Sequence, residues 1–134
     1  MPTPSGRIVR MSHALAFHDS ELRDVVVDAG TVRLRFAAAS VVADDGERGW
    51  LPGVVLTLSD ATLQGDAAHA FGRITEGQLR LDGQAVARPT LPGTLTGDTA
   101  LDLRCANGTA LALRGRTLDL AIADDARFAP DLSC

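Results

Sequence analysis

The sequence contains no lysine and no tyrosine, and it has only one tryptophan and four phenylalanines among 134 residues. Because aromatic rings provide the surfaces on which bases and flat ligands stack, this scarcity argues against a stacking site. All 13 basic residues other than histidine are arginines, and the formal net charge is −4 at pH 7. Nucleic acids and anionic membranes attract proteins with excess positive charge, so we expect neither as a partner.

Cysteine is also scarce, with only Cys105 and Cys134. A secreted domain of this size that depends on disulfides usually carries more, and the two residues form no C-x₂-C metal motif, so we expect neither a disulfide framework nor a metal. No stretch approaches the roughly 20 apolar residues of a membrane span, and no apolar signal run follows the start of the chain. The expected location is the cytoplasm.

The length is that of one domain. Residues 1–12 form an expected peripheral segment, because two prolines, a glycine and scattered arginines precede any apolar pattern. Met1 and Met11 both remain candidates for the native start. Residues 13–134 are expected to form a single β domain.

From Ala14 onward, apolar residues alternate with polar or small ones, which is the period of a strand with one buried face. The alternating apolar sets are Val32, Leu34 and Phe36; Val54, Leu56 and Leu58; Leu79 and Leu81; Leu101 and Leu103; Leu111 and Leu113; and Leu118, Leu120 and Ile122. The alternation changes phase between Leu58 and Leu63, which predicts a bulge at Ser59-Asp60. Residues 19–25 are the best helical candidate, but the valines at 25–27 favour a strand there.

Turn signals separate these runs. Asp45-Gly46, Asp82-Gly83 and Asn107-Gly108 are typical hairpin pairs, and Pro52-Gly53 and Pro92-Gly93 are further turn signals. We expect both Asn107 and Gly108 to have positive φ. The sequence therefore predicts an all-β fold of about eight short strands with little or no helix. An antiparallel barrel and a two-sheet sandwich remain open.

His18, Asp19 and Ser20 are the three residue types of a hydrolase triad, but adjacent residues cannot form one because alternate side chains point to opposite faces. No Gly-x-Ser-x-Gly elbow is present. We expect His18 to end the first strand and, partly buried, to help Asp19 and Ser20 fix a turn. Metal ligation by His13, His18 and His69 is not expected, because no His-x-His pair exists.

Two features suggest contact with a partner. Arg33, Arg35 and Arg104 belong to a larger set of arginines on polar strand faces, where they form either cross-strand ion pairs or a patch for an acidic partner. Trp50 lies in an expected loop, where it either covers a barrel end or anchors a partner. The predicted partner-binding residues are Trp50, Arg33, Arg35 and Arg104.

Two short segments resemble parts of known bacterial proteins. The segment Phe17-His18-Asp19-Ser20-Glu21-Leu22 resembles the F-H-D-A/S-x-L opening of small bacterial β-rich proteins, some of which are similar to immunity proteins of toxin–immunity systems. The segment from Leu101 to Leu111 resembles their closing hairpin. This resemblance implies a stand-alone domain and transfers no catalytic residue.

Three hypotheses of function follow. The first is a non-enzymatic protein-binding domain, such as an immunity-type inhibitor of a bacterial protein. The second is a self-associating structural β module that uses exposed strand edges and forms homo-oligomers. The third is a small-ligand binder or enzyme whose polar site is assembled from distant loops, with His18, Asp19, His69 and Glu76 as candidates. No cofactor is expected, and no catalytic residue is assigned.

Overall fold

The computed structural model describes residues 12–130. In this range the chain forms eleven strands and one 3₁₀ turn, Ala67–His69. The strands are β1 (His13–Asp28), β2 (Thr31–Ala43), β3 (Arg48–Leu51), β4 (Val54–Ser59), β5 (Thr62–Gln64), β6 (Gly72–Leu81), β7 (Gln84–Ala85), β8 (Thr90–Leu91), β9 (Gly93–Cys105), β10 (Ala110–Ile122) and β11 (Ala129–Pro130). No helix in this part of the chain is long and apolar enough to cross a membrane.

Several expectations fall on residues that the structure does not describe. The peripheral segment up to residue 11, the choice between Met1 and Met11, and any pairing of Cys134 lie outside the described residues. Ser12, the last residue of the expected peripheral segment, donates its backbone N–H to Asp44 Oδ2 at 3.0 Å.

Six strands close into an antiparallel barrel in the order β1, β2, β4, β10, β9 and β6, with β6 pairing back to β1. The closing pair is short, because only Glu21 with Arg73 and Leu22 with Gly72 are in register. The remaining strands extend this barrel. Strand β3 pairs with β2 and β11 with β3, while β8 pairs with β1, β5 with β10 and β7 with β6. The all-β prediction is confirmed, and the structure is a barrel rather than a sandwich.

The strands are more numerous than the expected eight, and four of them are long. Strand β1 has 16 residues, and β2, β9 and β10 have 13 each. These four exceed the expected short strands because local irregularities lie inside them without ending them. Asp19 has φ 73° within β1, Gly97 has φ 144° within β9, and β10 changes register against β9 between Gly115 and Thr117. Bulges of this kind bend a strand without ending it.

The core fills the inside of the barrel with the residues that alternation predicted. Of the predicted apolar set, Leu81 and Ile122 are half-buried and all others are buried. Phe17 and Leu22 from β1 belong to the same cluster. Burying a leucine-sized side chain stabilises the fold by about 1.5–3 kcal/mol, so this aliphatic core supplies most of the favourable folding energy.

The predicted bulge at Ser59-Asp60 coincides with an irregularity shared by two strands. Asp60 has φ 52°, and the strands β4 and β5 on either side of it pair with the same strand, β10. In β10 the alternation of buried and exposed residues also shifts by one position after Gly115, directly opposite this interruption. Because both strands change phase together, apolar residues stay on the inner face along the whole length.

The hairpin turns follow the sequence signals, with one correction. Asp82 and Gly83 have φ 51° and 82°, as a two-residue type I′ turn requires. At Asn107-Gly108 only Gly108 has positive φ, at 95°, and its N–H donates to Cys105 O at 3.0 Å. The expectation of positive φ at Asn107 is therefore wrong. The hairpin is a type I turn followed by a glycine bulge, which is the common three-residue connection.

Candidate functional site

An open trough of about 710 Å³ crosses the outer face of the barrel where β5, β10, β9 and β6 lie side by side. We call it the trough. It is lined by Gln64, Gly65, Glu76, Gly77, Gln78, Asp102, Leu103, Arg104, Ala110, Leu111 and Ala112.

Two rows of directly paired residues cross the trough. The first row is Gln64, Ala112, Asp102 and Gln78, and the second is Ala110, Arg104 and Glu76. In both rows β10 contributes an alanine while the neighbouring strands contribute longer polar side chains. Because the methyl group is short, the surface is lowest along β10. The trough therefore has a floor of alanines and walls of amides and charged groups.

Opposite charges in the trough, and Arg114 beside it, lie close together without tight pairing. Arg104 Nε is 3.7 Å from Glu76 Oε1, and Arg114 Nη1 is 3.7 Å from Asp102 Oδ1. All four side chains are more than two-fifths exposed. Exposed pairs at this separation contribute little to stability, so their hydrogen-bonding groups are available to a partner.

Two glycines let the backbone approach closely beneath and beside the trough. A Cβ at Gly77 would collide with Phe17 of the core, and a Cβ at Gly65 would collide with the carbonyl oxygen of Ala110. Gly65 also has φ 119°, a conformation that other residues rarely adopt. The trough is thus built on a closely packed part of the barrel.

His18 and Asp19 lie together on the outer surface, near the short seam between β1 and β6. His18 Nδ1 is 3.3 Å from Asp19 Oδ2, and Arg73 Nη1 is 3.4 Å from Asp19 Oδ1. The His18 side chain is 66 % exposed, so the expectation of a partly buried, strand-ending histidine is wrong. The strand continues because Asp19 adopts a positive φ, and the chain bulges there instead of turning.

Ser20 has the structural role that was expected of His18. It is fully buried, its Oγ donates to Ala16 O at 2.6 Å, and Oγ accepts from Ser40 N at 2.8 Å. These bonds join β1 to β2 where the bulge interrupts their regular pairing. A hydroxyl that both donates and accepts is suited to this gap.

His69 forms a separate small cluster. Its Nδ1 is 2.6 Å from Asp66 Oδ2, and its carbonyl oxygen accepts from Asn107 Nδ2 at 2.8 Å. Among the described residues, no side-chain hydrogen bond or ion pair joins His69 to His18 or Asp19. The candidates for a polar site therefore form two separate groups, His18 with Asp19 and His69 with Asp66. Glu76 lies in neither group and lines the trough.

The four predicted partner-binding residues are divided between two sides of the barrel. Arg104 on β9 lines the trough, whereas Arg33 and Arg35 lie on β2, three strands away in either direction around the barrel. Trp50 lies in β3, paired with Ser40 and Ala129, and it is half-exposed. The expectation that Trp50 lies in a loop is wrong, because β11 pairs with this segment and makes it an inner strand.

Residues 12–130 contain no group of three or more His, Cys, Asp or Glu residues that is placed to hold a metal ion. Cys105 is buried beneath the trough-forming strands, and desolvation raises the pKa of its thiol above the usual range, although a hydrogen bond with the Phe71 backbone acts in the opposite direction. A protonated, inaccessible thiol is a poor nucleophile.

No family model, curated protein or solved structure matches this chain.

Sequence reasoning did not assign Gln64, Gln78 or Ala112 to a site. The available signal is weak, since Ala112 stands out in the sequence only as the small residue between Leu111 and Leu113. Its importance depends on the pairing of β10 with both β5 and β9, which brings distant segments together.

Proposed function

We propose that this chain is a non-enzymatic protein-binding domain that receives an extended segment of its partner in the trough. The observation that carries this proposal is the shape and lining of the trough: it is open, it has an alanine floor, and loosely paired charges and amides surround it. Sites for small molecules are more often enclosed and mostly apolar.

The lining suits a polypeptide in particular. Gln64 and Gln78 occupy the two ends of one row and are about 14 Å apart, because three strand spacings separate them. Each amide both donates and accepts hydrogen bonds, as a peptide backbone requires. Glu76 and Arg104 in the other row supply one group of each charge. A partner segment with both an acidic and a basic side chain matches this arrangement.

The resemblance of the first-strand segment to proteins similar to immunity proteins supports a more specific role. In this proposal the bound segment belongs to a bacterial protein whose activity is inhibited when the segment is held. The trough supports binding, and the inhibition rests on the resemblance alone.

The test uses two alanines on the same strand. Ala112 lies in the trough, and Ala121 lies farther along β10, opposite Val55 of β4 and outside the trough. A photo-crosslinking amino acid at position 112 should capture the partner in cells of the source organism, and the same group at position 121 should not. Mass spectrometry then identifies the captured protein.

Binding of the purified partner completes the test. Ala112→Arg fills the floor and should weaken binding by at least about a hundredfold, the loss expected when a central contact is blocked. Ala121→Arg should leave binding within about threefold. Equal binding by both variants, or capture only at position 121, contradicts the proposal.

A further inference from the structure

Three large apolar side chains are exposed among the described residues: Val26 at 37 %, Val27 at 53 % and Phe71 at 48 %. Val26 and Val27 lie near the end of β1. Phe71 immediately precedes Gly72, which pairs with Leu22 of the same strand. Phe71 therefore lies at the point where β1 stops pairing with β6, and Val26 and Val27 lie beyond that point. Exposed apolar residues beside an unpaired strand edge are candidates for an interaction surface.

The same region contains an open strand edge. Residues 24–28 of β1 pair with β2 on one side, and no strand within residues 12–130 pairs with them on the other. The 3₁₀ turn at Ala67–His69 lies close to β1 but forms no backbone hydrogen bond with residues 24–28, so their outward N–H and C=O groups have no backbone partner in this part of the chain. We call residues 24–28 the β1 edge.

The hairpin turn determines which backbone groups face outward. Ala29 and Gly30 have φ 46° and 83°, so Asp28 and Thr31 close a two-residue hairpin as a hydrogen-bonded pair. Hydrogen-bonded and non-bonded pairs alternate along antiparallel strands. The N–H and C=O groups of Val25 and Val27 consequently point away from β2, towards the open side.

We propose that the β1 edge pairs antiparallel with the β1 edge of a second copy of this chain, forming a two-fold dimer with a continuous sheet. An unpaired edge attracts another strand, and proteins usually protect such edges with lysine, proline or inward charges. Here the edge carries three consecutive valines. This dimer is separate from the partner binding proposed for the trough.

Charge limits how two copies align. For backbone hydrogen bonds to form between the copies, Val25 or Val27 of one copy must lie opposite a residue of the other copy whose N–H and C=O also point away from β2. Alignments that place Asp24 or Asp28 opposite an aspartate of the second copy are unfavourable, because like charges directly opposite destabilise a strand pair. Two alignments through the valines avoid this, with either Val25 opposite Val25 or Val27 opposite Val27.

In both alignments an aspartate of the second copy faces Val26: Asp24 in the first and Asp28 in the second. Arg33 is directly paired with Val26 on β2, about two strand spacings from that aspartate, within the reach of an arginine side chain. Within residues 12–130 no carboxylate oxygen lies within 4.0 Å of Arg33, whereas Arg35 is paired with Asp24. The dimer therefore supplies an acidic partner for Arg33.

The test compares two substitutions at one position. Val27→Pro removes an N–H that points to the open side, so it breaks no hydrogen bond between β1 and β2. Val27→Thr keeps both the N–H and the shape. Sedimentation velocity over a hundredfold concentration range should show wild-type protein moving from 14.0 kDa monomer to twice that mass. Val27→Pro should raise the dimer dissociation constant at least about tenfold, a loss of about 1.4 kcal/mol, and Val27→Thr should stay within about threefold.

Two further variants complete the design. Val27→Lys places a charge at the edge and replaces Val27→Pro if circular dichroism shows that the proline variant does not fold. Arg33→Glu should also weaken the dimer, because it places a carboxylate beside an aspartate of the second copy. Wild-type protein that stays monomeric at every concentration overturns the proposal, as does a dimer whose dissociation constant is unchanged by both Val27→Pro and Val27→Lys. Ala112→Arg should leave the dimer intact, so failure of this proposal is distinguishable from failure of the trough proposal.

Discussion

Arg35 and Asp24 form a two-bonded ion pair across β2 and β1, with Nε 2.7 Å from Oδ1 and Nη2 2.6 Å from Oδ2. The hydrogen bond from Arg35 is the main reason that the pKa of Asp24 lies below its usual range. Burial opposes this effect, and the positive charges of Arg35 and Arg23 lower the pKa by smaller amounts. The pair connects the two strands of the hairpin that carries the β1 edge.

This pair predicts a pH-dependent contribution to stability. Because the pKa of Asp24 is lower in the folded state, the contribution is present above the unfolded pKa of about 3.9 and is lost as pH falls through the folded value. Asp24→Asn should lower the melting temperature at pH 7 by less than about 4 °C, since the pair is exposed. The difference from wild type should shrink as the pH falls below the unfolded pKa of about 3.9 and through the lower folded value. Asp125→Asn, at an exposed residue, is the control. A difference in melting temperature between wild type and Asp24→Asn that grows in acid contradicts a stabilising ion pair at Asp24.

We expect substitutions at Ser20 and at His18 to have different effects on stability, although the two residues are only two positions apart. Ser20→Ala leaves the Ala16 carbonyl and the Ser40 N–H without their partner, so unfolding free energy should fall by about 1–3 kcal/mol. His18→Ala changes an exposed side chain and should stay within about 0.5 kcal/mol. Urea denaturation of both variants measures the difference. A larger loss for His18→Ala than for Ser20→Ala would restore the structural role expected of His18.

The hairpin at Gly108 requires a residue that tolerates positive φ. Gly108→Val should destabilise the protein by more than about 1 kcal/mol, because a β-branched residue is strained at φ 95°. Gly108→Asn should cost less, since asparagine adopts positive φ more readily. The space around this glycine is open, so the comparison isolates backbone strain from steric contact. Denaturation midpoints that are equal for wild type and Gly108→Val would refute the turn assignment.

Removal of residues 1–10 should leave the fold intact. These residues precede any apolar alternation in the sequence, and segments of that kind near a terminus usually contribute little to a core. Differential scanning calorimetry should show a melting temperature within about 4 °C of the full chain, which corresponds to about 1 kcal/mol for a domain of this size. A larger drop would show that the segment stabilises the barrel.

Much of the barrel was predictable because its signals are local. The alternation of Val32, Leu34 and Phe36 identifies a strand and its inner face from a few neighbouring residues. Asp82-Gly83 identifies a tight turn for the same reason. The continuation of β1 through His18 and Asp19 was not predictable, because the bonds of Ser20 to Ala16 and Ser40 depend on the packing of β1 against β2.

Strand character, the apolar inner face and the positions of the main turns all follow from local sequence, because steric preferences and burial act within short segments. The position of Ala112 between Gln64 and Asp102, and the absence of a strand beside Val25 and Val27 on the side away from β2 within residues 12–130, arise only when the chain folds. Both outcomes depend on which strands become neighbours when the barrel closes. That pairing is set by the packing of the whole core and leaves no signal in any one segment.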